Sequence, residues 1–173
     1  NSLKKDCEIN ENFIKLYKKF CPGPITFILK LKKKNNISKI VTNNKNTLAV
    51  RFPKHPLTKN LLKILSYPLA APSANVSTKI SPVSKEDVEE EFGKKIKFIL
   101  NGGRSKIGLE STIISLIEDP IIMRYGGIEI EKINKIFNNK IKFLIKSKNI
   151  LTPGQGKLHY SPGIPIRLNR TKC

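Results

Sequence analysis

Six short, largely apolar runs recur at residues 25–31, 47–52, 69–72, 96–100, 111–117 and 121–125, all but 69–72 carrying β-branched or aromatic residues. Each has the length of a buried strand, and none nears the roughly 18 residues that a membrane-spanning helix needs. Between them the spacing turns helical. Phe13, Leu16, Tyr17 and Phe20 share one face of a predicted helix over Glu11–Phe20, stopped by Pro22-Gly23-Pro24. A second helix starts at Pro56, the favoured first position, and runs to residue 65. A third follows Ser84 as N-cap, with Glu86 and Asp87 in its first turn, and a fourth spans 128–137 with Ile130, Ile133 and Phe137 inward. Strands and helices alternate without a regular βαβ period. The expected fold class is therefore α/β, a twisted mixed β-sheet flanked by helices.

Residues 70–82, AAPSANVSTKISP, break this pattern. They carry Ser73, Asn75, Ser77, Thr78 and Ser81 directly after an apolar run, 61–69, that reads as part of a packed element. Short hydroxyl and amide side chains lose little rotamer entropy and let the backbone approach closely, which suits a polar ligand; they are also ordinary turn and cap residues. A second polar cluster weighs toward the ligand. Residues 99–117 place Gly102, Gly103 and Gly108 in a loop ending in Glu110-Ser111-Thr112, where positive φ and exposed amides suit an anion. The loop matches neither the dinucleotide fingerprint nor the P-loop. Arg51 and Arg124 each end an apolar run, and a guanidinium there either meets a carboxylate or phosphate or reaches out to water. The acidic residues Glu86, Asp87, Glu89, Glu90 and Glu91 read as a solvated helix face.

The net charge is +20, from 33 Lys and Arg against 13 Asp and Glu. Lysines spread through the whole chain alongside Asn and Ile, so the excess reads as compositional, although it attracts ATP, pyrophosphate and RNA at low salt. Cys7, Cys21 and Cys173 show no CxxC spacing, and only His55 and His159 could join them. No structural zinc site is expected, and reduced thiols of a cytoplasmic protein are the simplest reading. No secretory leader and no membrane span is read.

Five ordered motifs carry a resemblance to a known family. They are Pro22-Gly-Pro-Ile-Thr-Phe-Ile-Leu29, Val50-Arg51-Phe-Pro53, Ala71-Pro-Ser-Ala-Asn75 with Ser81-Pro82, Gly108-Leu-Glu-Ser-Thr-Ile113, and Met123-Arg-Tyr-Gly-Gly127. In order and spacing they resemble the motifs of the YrdC-like threonylcarbamoyl-AMP synthases. Thr152-Pro-Gly-Gln-Gly-Lys-Leu-His-Tyr-Ser-Pro162 is similar to the linker of the longer, two-domain members.

The resemblance implies a YrdC-like domain over residues 1–149, with a concave basic cavity, and a linker or lid over 150–173. It implies condensation of L-threonine, bicarbonate and ATP, with Mg2+, to threonylcarbamoyl-AMP and pyrophosphate, toward the N6-threonylcarbamoyl modification of adenosine 37 in tRNA. Thr47, Ser73, Asn75, Ser81 and Arg124 are then expected at ATP, with His159 and Tyr160 contributed by the linker. Arg51, Ala71 and Ser111 are expected at L-threonine. Neither a nucleophilic side chain nor a metal-ligand set is implied. The expected partners are the downstream tRNA threonylcarbamoyl-transferase complex and RNA held by the basic surface.

Members of the family also carry a Pro-Thr-Glu turn and a Lys-x-Arg-Pro motif ahead of the point that aligns with Asn1, and longer members continue past the linker. The chain is accordingly read as lacking the N-terminal part and the C-terminal domain. Two other readings stay open: an inactive or nucleotide- or RNA-binding fragment of the same fold, and a carbamoyl-transfer domain of the hydrogenase-maturation type, against which the absence of Cys pairs counts.

Overall fold

The computed structural model describes residues 3–76, 79–138 and 140–143. Of these, residues up to 70 and from 107 onward form one compact unit, and 71–106 belong to a second.

The first unit is built on a five-stranded mixed sheet. Its strands are β1 (Ile25–Lys30), β2 (Thr47–Arg51), β3 (Thr112–Ser115), β4 (Ile121–Arg124) and β5 (Lys142–Phe143), in the order β2-β1-β3-β4-β5. β1 pairs antiparallel with β2 and parallel with β3, β3 pairs antiparallel with β4, and β4 pairs parallel with β5. The flanking helices are α1 (Leu3–Asp6), α2 (Glu11–Phe20), α3 (Lys39–Thr42), α4 (Pro56–Ile64) and α6 (Ile130–Asn134); α5 (Lys85–Phe92) belongs to the second unit.

Period-two alternation in β1 separates the two faces of the sheet. Ile25, Phe27 and Leu29 are buried in the core, together with Phe13 and Leu16 of α2, Ile114, Leu116, Ile122 and Ile133. The Phe13 ring meets Phe27 edge-on at 5.0 Å, and Tyr17 meets Phe52 edge-on at 4.9 Å. The predicted aromatic face of α2 is therefore the core face, with Tyr17 at its margin, 40% exposed. Asn10 caps α2 by accepting from the Phe13 amide at 2.9 Å, and its Nδ2 donates to the Leu116 carbonyl at 2.9 Å. One side chain thus starts the helix and ties it to the end of β3.

β1 to β4 fall inside the predicted runs, and α4 begins at Pro56 as expected. The fourth predicted helix is shorter: α6 passes into a 3-10 turn, Lys135–Phe137, and Ile133 is its fully buried residue.

Residues 69–72 and 96–100 form no strand. A strand exists by its ladder, and no described residue pairs with either segment, so Phe98 is left 82% exposed. The 61–69 run is also not a packed element, because α4 has no buried residue and Ile64 is 83% exposed. α1, α3 and β5 are too short to show a period in sequence. Among the described residues no helix is long and apolar enough to cross a membrane.

Removing the centre of this core has a defined cost. Phe27→Ala is expected to destabilise the protein by about 3–5 kcal/mol in urea unfolding, whereas Ile64→Ala, on an open helix face, changes stability by less than about 0.5 kcal/mol.

Candidate functional site

The face of the sheet opposite the core mixes polar and charged residues with apolar ones. Thr26, Ile28 and Lys30 of β1 stand opposite Arg51, Ala49 and Thr47 of β2, and Ile113 follows Thr26 in the same row. Arg124 completes that row only because β4 is irregular. Ile122, two residues earlier, is a core residue, so in an unbroken strand Arg124 would share its face. Between Ile113 and Ile114 the register shifts: the single step on β3 faces the two steps from Arg124 to Ile122 on β4. Met123 is the extra residue of this bulge, and it turns Arg124 onto the polar face.

There Arg124 is held on several sides. Its Nε and Nη2 each donate to the Ser111 carbonyl at 3.1 Å, Nη2 also donates to Ser111 Oγ at 3.2 Å, and Nη1 forms an ion pair with the Glu110 carboxylate. The Arg124 and Glu110 side chains are 16% and 21% exposed, which sets the pair apart from a screened surface contact. Ser111 is buried, and its Oγ lies 2.7 Å from Thr26 Oγ1.

Close backbone packing fixes this arrangement. A Cβ on Gly126 would collide with the backbone of Glu110, Ser111 and Thr112, so only glycine lets the two segments touch. The Gly127 amide donates to the Glu110 carbonyl at 2.9 Å, and the Ile128 amide donates to Oγ1 of the fully buried Thr112 at 3.2 Å. Thr112 in turn donates its amide to the Pro24 carbonyl at 3.0 Å, which locks β3 to the start of β1.

Arg51 is exposed and forms no ion pair with a described residue. Desolvation first, and repulsion from Arg124 second, pull its guanidinium below the ordinary arginine range, while Glu110 opposes the shift. At the Arg51 end of this face two guanidiniums and one carboxylate leave one net positive charge, while Lys30 at the other end is paired with Glu8, so an arriving anion is favoured beside Arg51. Thr47 lies on the same face at the other end of β2, about 13 Å along the strand from Arg51.

In the second unit, Ala71 and Ser73 are exposed, and Asn75 and Ser81 are half-buried. Asn75 Nδ2 donates to the carbonyls of Val76 at 3.1 Å and Lys79 at 3.0 Å, so its amide group braces its own loop. The acidic residues predicted as a solvated face include two that hold backbone. Asp87 Oδ2 accepts from the Val83 amide at 2.8 Å and the Ser84 amide at 3.0 Å in a reciprocal capping box. Glu91 accepts from the Val76 amide at 3.0 Å and from Lys79 Nζ at 3.1 Å. These bonds, the Val76 amide first, hold its carboxyl below the usual range.

Of the residues expected at a site, Thr47, Arg51, Ser111 and Arg124 therefore occupy one face of one sheet, with the last three in or beside one row. Ala71, Ser73, Asn75 and Ser81 belong to the second unit, and His159 and Tyr160 lie outside the described residues. Thr26 and Glu110 were not expected, although both sit inside quoted motifs. The signal at Thr26 is a hydroxyl in a strand whose neighbours on both sides are apolar.

The comparisons with known proteins agree with one another. The sequence profile of the Sua5/YciO/YrdC family, described as telomere recombination, matches residues 1–126. Threonylcarbamoyl-AMP synthase of Pyrococcus abyssi is 38% identical over 164 residues, covering 92% of this chain and 48% of that protein. The enzyme of the same name from Schizosaccharomyces pombe is 38% identical over 168 residues, covering 90% of this chain and 41% of that protein. The chain spans less than half the length of these two relatives. Among solved structures, that of P. abyssi Sua5 complexed with L-threonine superposes with a TM-score of 0.83 at 36% identity, covering 92% of this chain and 48% of that one.

Two measurements test the geometry. Gly126→Ala is expected to lower the thermal midpoint, because the new methyl displaces the Glu110–Thr112 backbone; an unchanged midpoint contradicts the close approach. The lowered Glu91 pKa means that its tie to Val76 is intact above the ordinary Glu value of about 4.3 and is lost as pH falls through a lower midpoint. In NMR spectra the Val76 amide should therefore shift with a midpoint below that value, and Glu91→Gln should abolish the shift.

Proposed function

This chain belongs to the Sua5/YciO/YrdC family, and from that premise we propose that it is the catalytic domain of an L-threonylcarbamoyladenylate synthase, a nucleotidyltransferase that condenses L-threonine, bicarbonate and ATP to threonylcarbamoyl-AMP and pyrophosphate. The observation that carries the proposal is the exposed Arg51 guanidinium beside the Arg124–Glu110 pair, one net positive charge over the hydroxyls of Thr26 and Ser111. The relative solved with L-threonine makes that amino acid the natural occupant.

The assigned roles are those that the family resemblance implies, and the side-chain chemistry is compatible with them. Arg51 presents a planar fork to the threonine carboxylate, and Ala71 and Ser111 are likewise assigned to L-threonine. Thr47, Ser73, Asn75, Ser81 and Arg124 are assigned to ATP, joined by His159 and Tyr160 of the linker. The α-amino nitrogen of threonine bonds to the carbon of bicarbonate, a C–O bond of bicarbonate breaks, and a carbamate forms with loss of one water. A carbamate oxygen then attacks the α-phosphorus, the P–O bond to the β-phosphate breaks, and pyrophosphate leaves. In-line placement and charge neutralisation drive such a transfer, so hydroxyls, amides and guanidiniums suffice without a protein nucleophile.

Mg2+ enters as part of the MgATP substrate, bound through phosphate oxygens. Among the described residues no group of three or more His, Cys, Asp or Glu forms a metal site of its own. The carbamate and the mixed anhydride both decompose in water, so residues 150–173 are assigned the part of a lid that excludes it. The product is destined for a tRNA threonylcarbamoyl-transferase complex in the cytoplasm, and the basic surface is suited to RNA.

The test uses the full-length protein. ATP-dependent pyrophosphate release should require both L-threonine and bicarbonate, and Arg51→Ala should raise the KM for L-threonine by about 10- to 100-fold, more than it raises the KM for ATP. Release that is indifferent to L-threonine refutes the proposal.

A further inference from the structure

The hydrogen bonds around Ser111 and Thr26 leave one donor over. Ser111 Oγ accepts from Arg124 Nη2 at 3.2 Å, which occupies one of its two lone pairs. Its 2.7 Å contact with Thr26 Oγ1 uses one of the two hydroxyl protons, whichever oxygen donates it. One proton therefore remains on the pair, with no described acceptor.

Exposure and polarity bear on which oxygen carries that proton. Ser111 is 4% exposed, whereas Thr26 is half-buried and so the more open of the two. Either oxygen can donate across the 2.7 Å contact; in the orientation in which Arg124 donates to Ser111 and Ser111 donates to Thr26, each bond polarises the next and the remaining proton lies on Thr26 Oγ1. Thr26 is also the direct cross-strand partner of Arg51 on the same face, which places their Cβ atoms about 4.5–5.5 Å apart. A carboxylate offers four lone-pair positions, of which a bidentate arginine takes two.

We infer that Thr26 is a binding residue of the amino-acid pocket, its hydroxyl donating to the same substrate carboxylate that Arg51 holds, with Ser111 and Arg124 behind it as the groups that orient the proton. This assignment rests on the reading of Arg51 as the carboxylate receptor. It changes the part played by Ser111, which then acts through Thr26 and need not touch the substrate.

Thr26→Val removes the hydroxyl while keeping the β-branched shape, and Thr26→Ser keeps the hydroxyl. In the full-length protein the Val variant is expected to raise the KM for L-threonine about tenfold or more, with kcat and the KM for ATP within about twofold of wild type. The Ser variant should return the L-threonine KM to within about threefold of wild type. Thr26→Ala, which empties the position differently, should reproduce the loss of L-threonine affinity if Val perturbs folding. An unchanged L-threonine KM in the Val and Ala variants overturns the inference. So does a parallel rise in both KM values that Ser does not rescue, since it marks Thr26 as a support of the sheet alone. A wild-type enzyme with no L-threonine dependence sinks the proposed function instead, before any substitution at Thr26 is made.

Discussion

The contact between residues 110–112 and 124–128 is the joint on which the polar face of this protein depends. Arg124 and Glu110 are both largely withdrawn from water, and each is tolerable there because the other is present. Removing either partner leaves the other charge without compensation, at a cost that stays below the roughly 3–5 kcal/mol of a fully buried pair because both side chains keep some exposure. The same joint includes the Gly126 approach and the Thr112 bonds to Ile128 and Pro24, so it fixes the start of β3 as well as the guanidinium. β3 in turn is the central strand, parallel to β1 and antiparallel to β4. Site and sheet are stabilised by the same atoms.

The charge that matters at this site is distinct from the charge of the chain. A formal net charge of +20 is spread over exposed lysines, where it is screened and nonspecific. At the Arg51 end of the sheet face the balance is two arginines against one glutamate, with the Arg124–Glu110 pair largely withdrawn from water. Arg51 shows the effect, because desolvation and its like-charged neighbour both work against its charged form. A carboxylate or phosphate beside it offsets the repulsion from Arg124 and favours the charged guanidinium, in a planar geometry that a lysine on an open loop does not offer.

What could be read from the residues alone was whatever is written within one element. The apolar face of α2, the Pro56 start of α4, the Ser84 cap and β1 to β4 each carry their own period or cap, and each is present in the structure. Site residues were legible as types, since an arginine or hydroxyl at the end of an apolar run is conspicuous. Their partnerships were not. Thr26 and Ser111 are 85 positions apart, and only the register of β1 on β3 brings their hydroxyls together. Glu91 looks like its acidic neighbours until the loop at Val76 lies across it. Residues 96–100 have strand composition, yet a strand is a property of two segments, and composition describes one.

The bulge at Met123 gives the site a sensitivity that no side chain records. Arg124 faces the ligand side by virtue of a residue count, one more on β4 than β3 can match. Straightening β4 with Met123 retained would put Arg124 on the face of Ile122 and swing the cation toward the hydrocarbon interior, whereas losing residue 123 would leave the arginine next to Ile122 and still on the opposite face. The guanidinium is thus aimed by the count of residues along the strand as much as by its own chemistry, and a pairing of β4 on β3 without the extra residue's bulge would carry the same letters without the receptor.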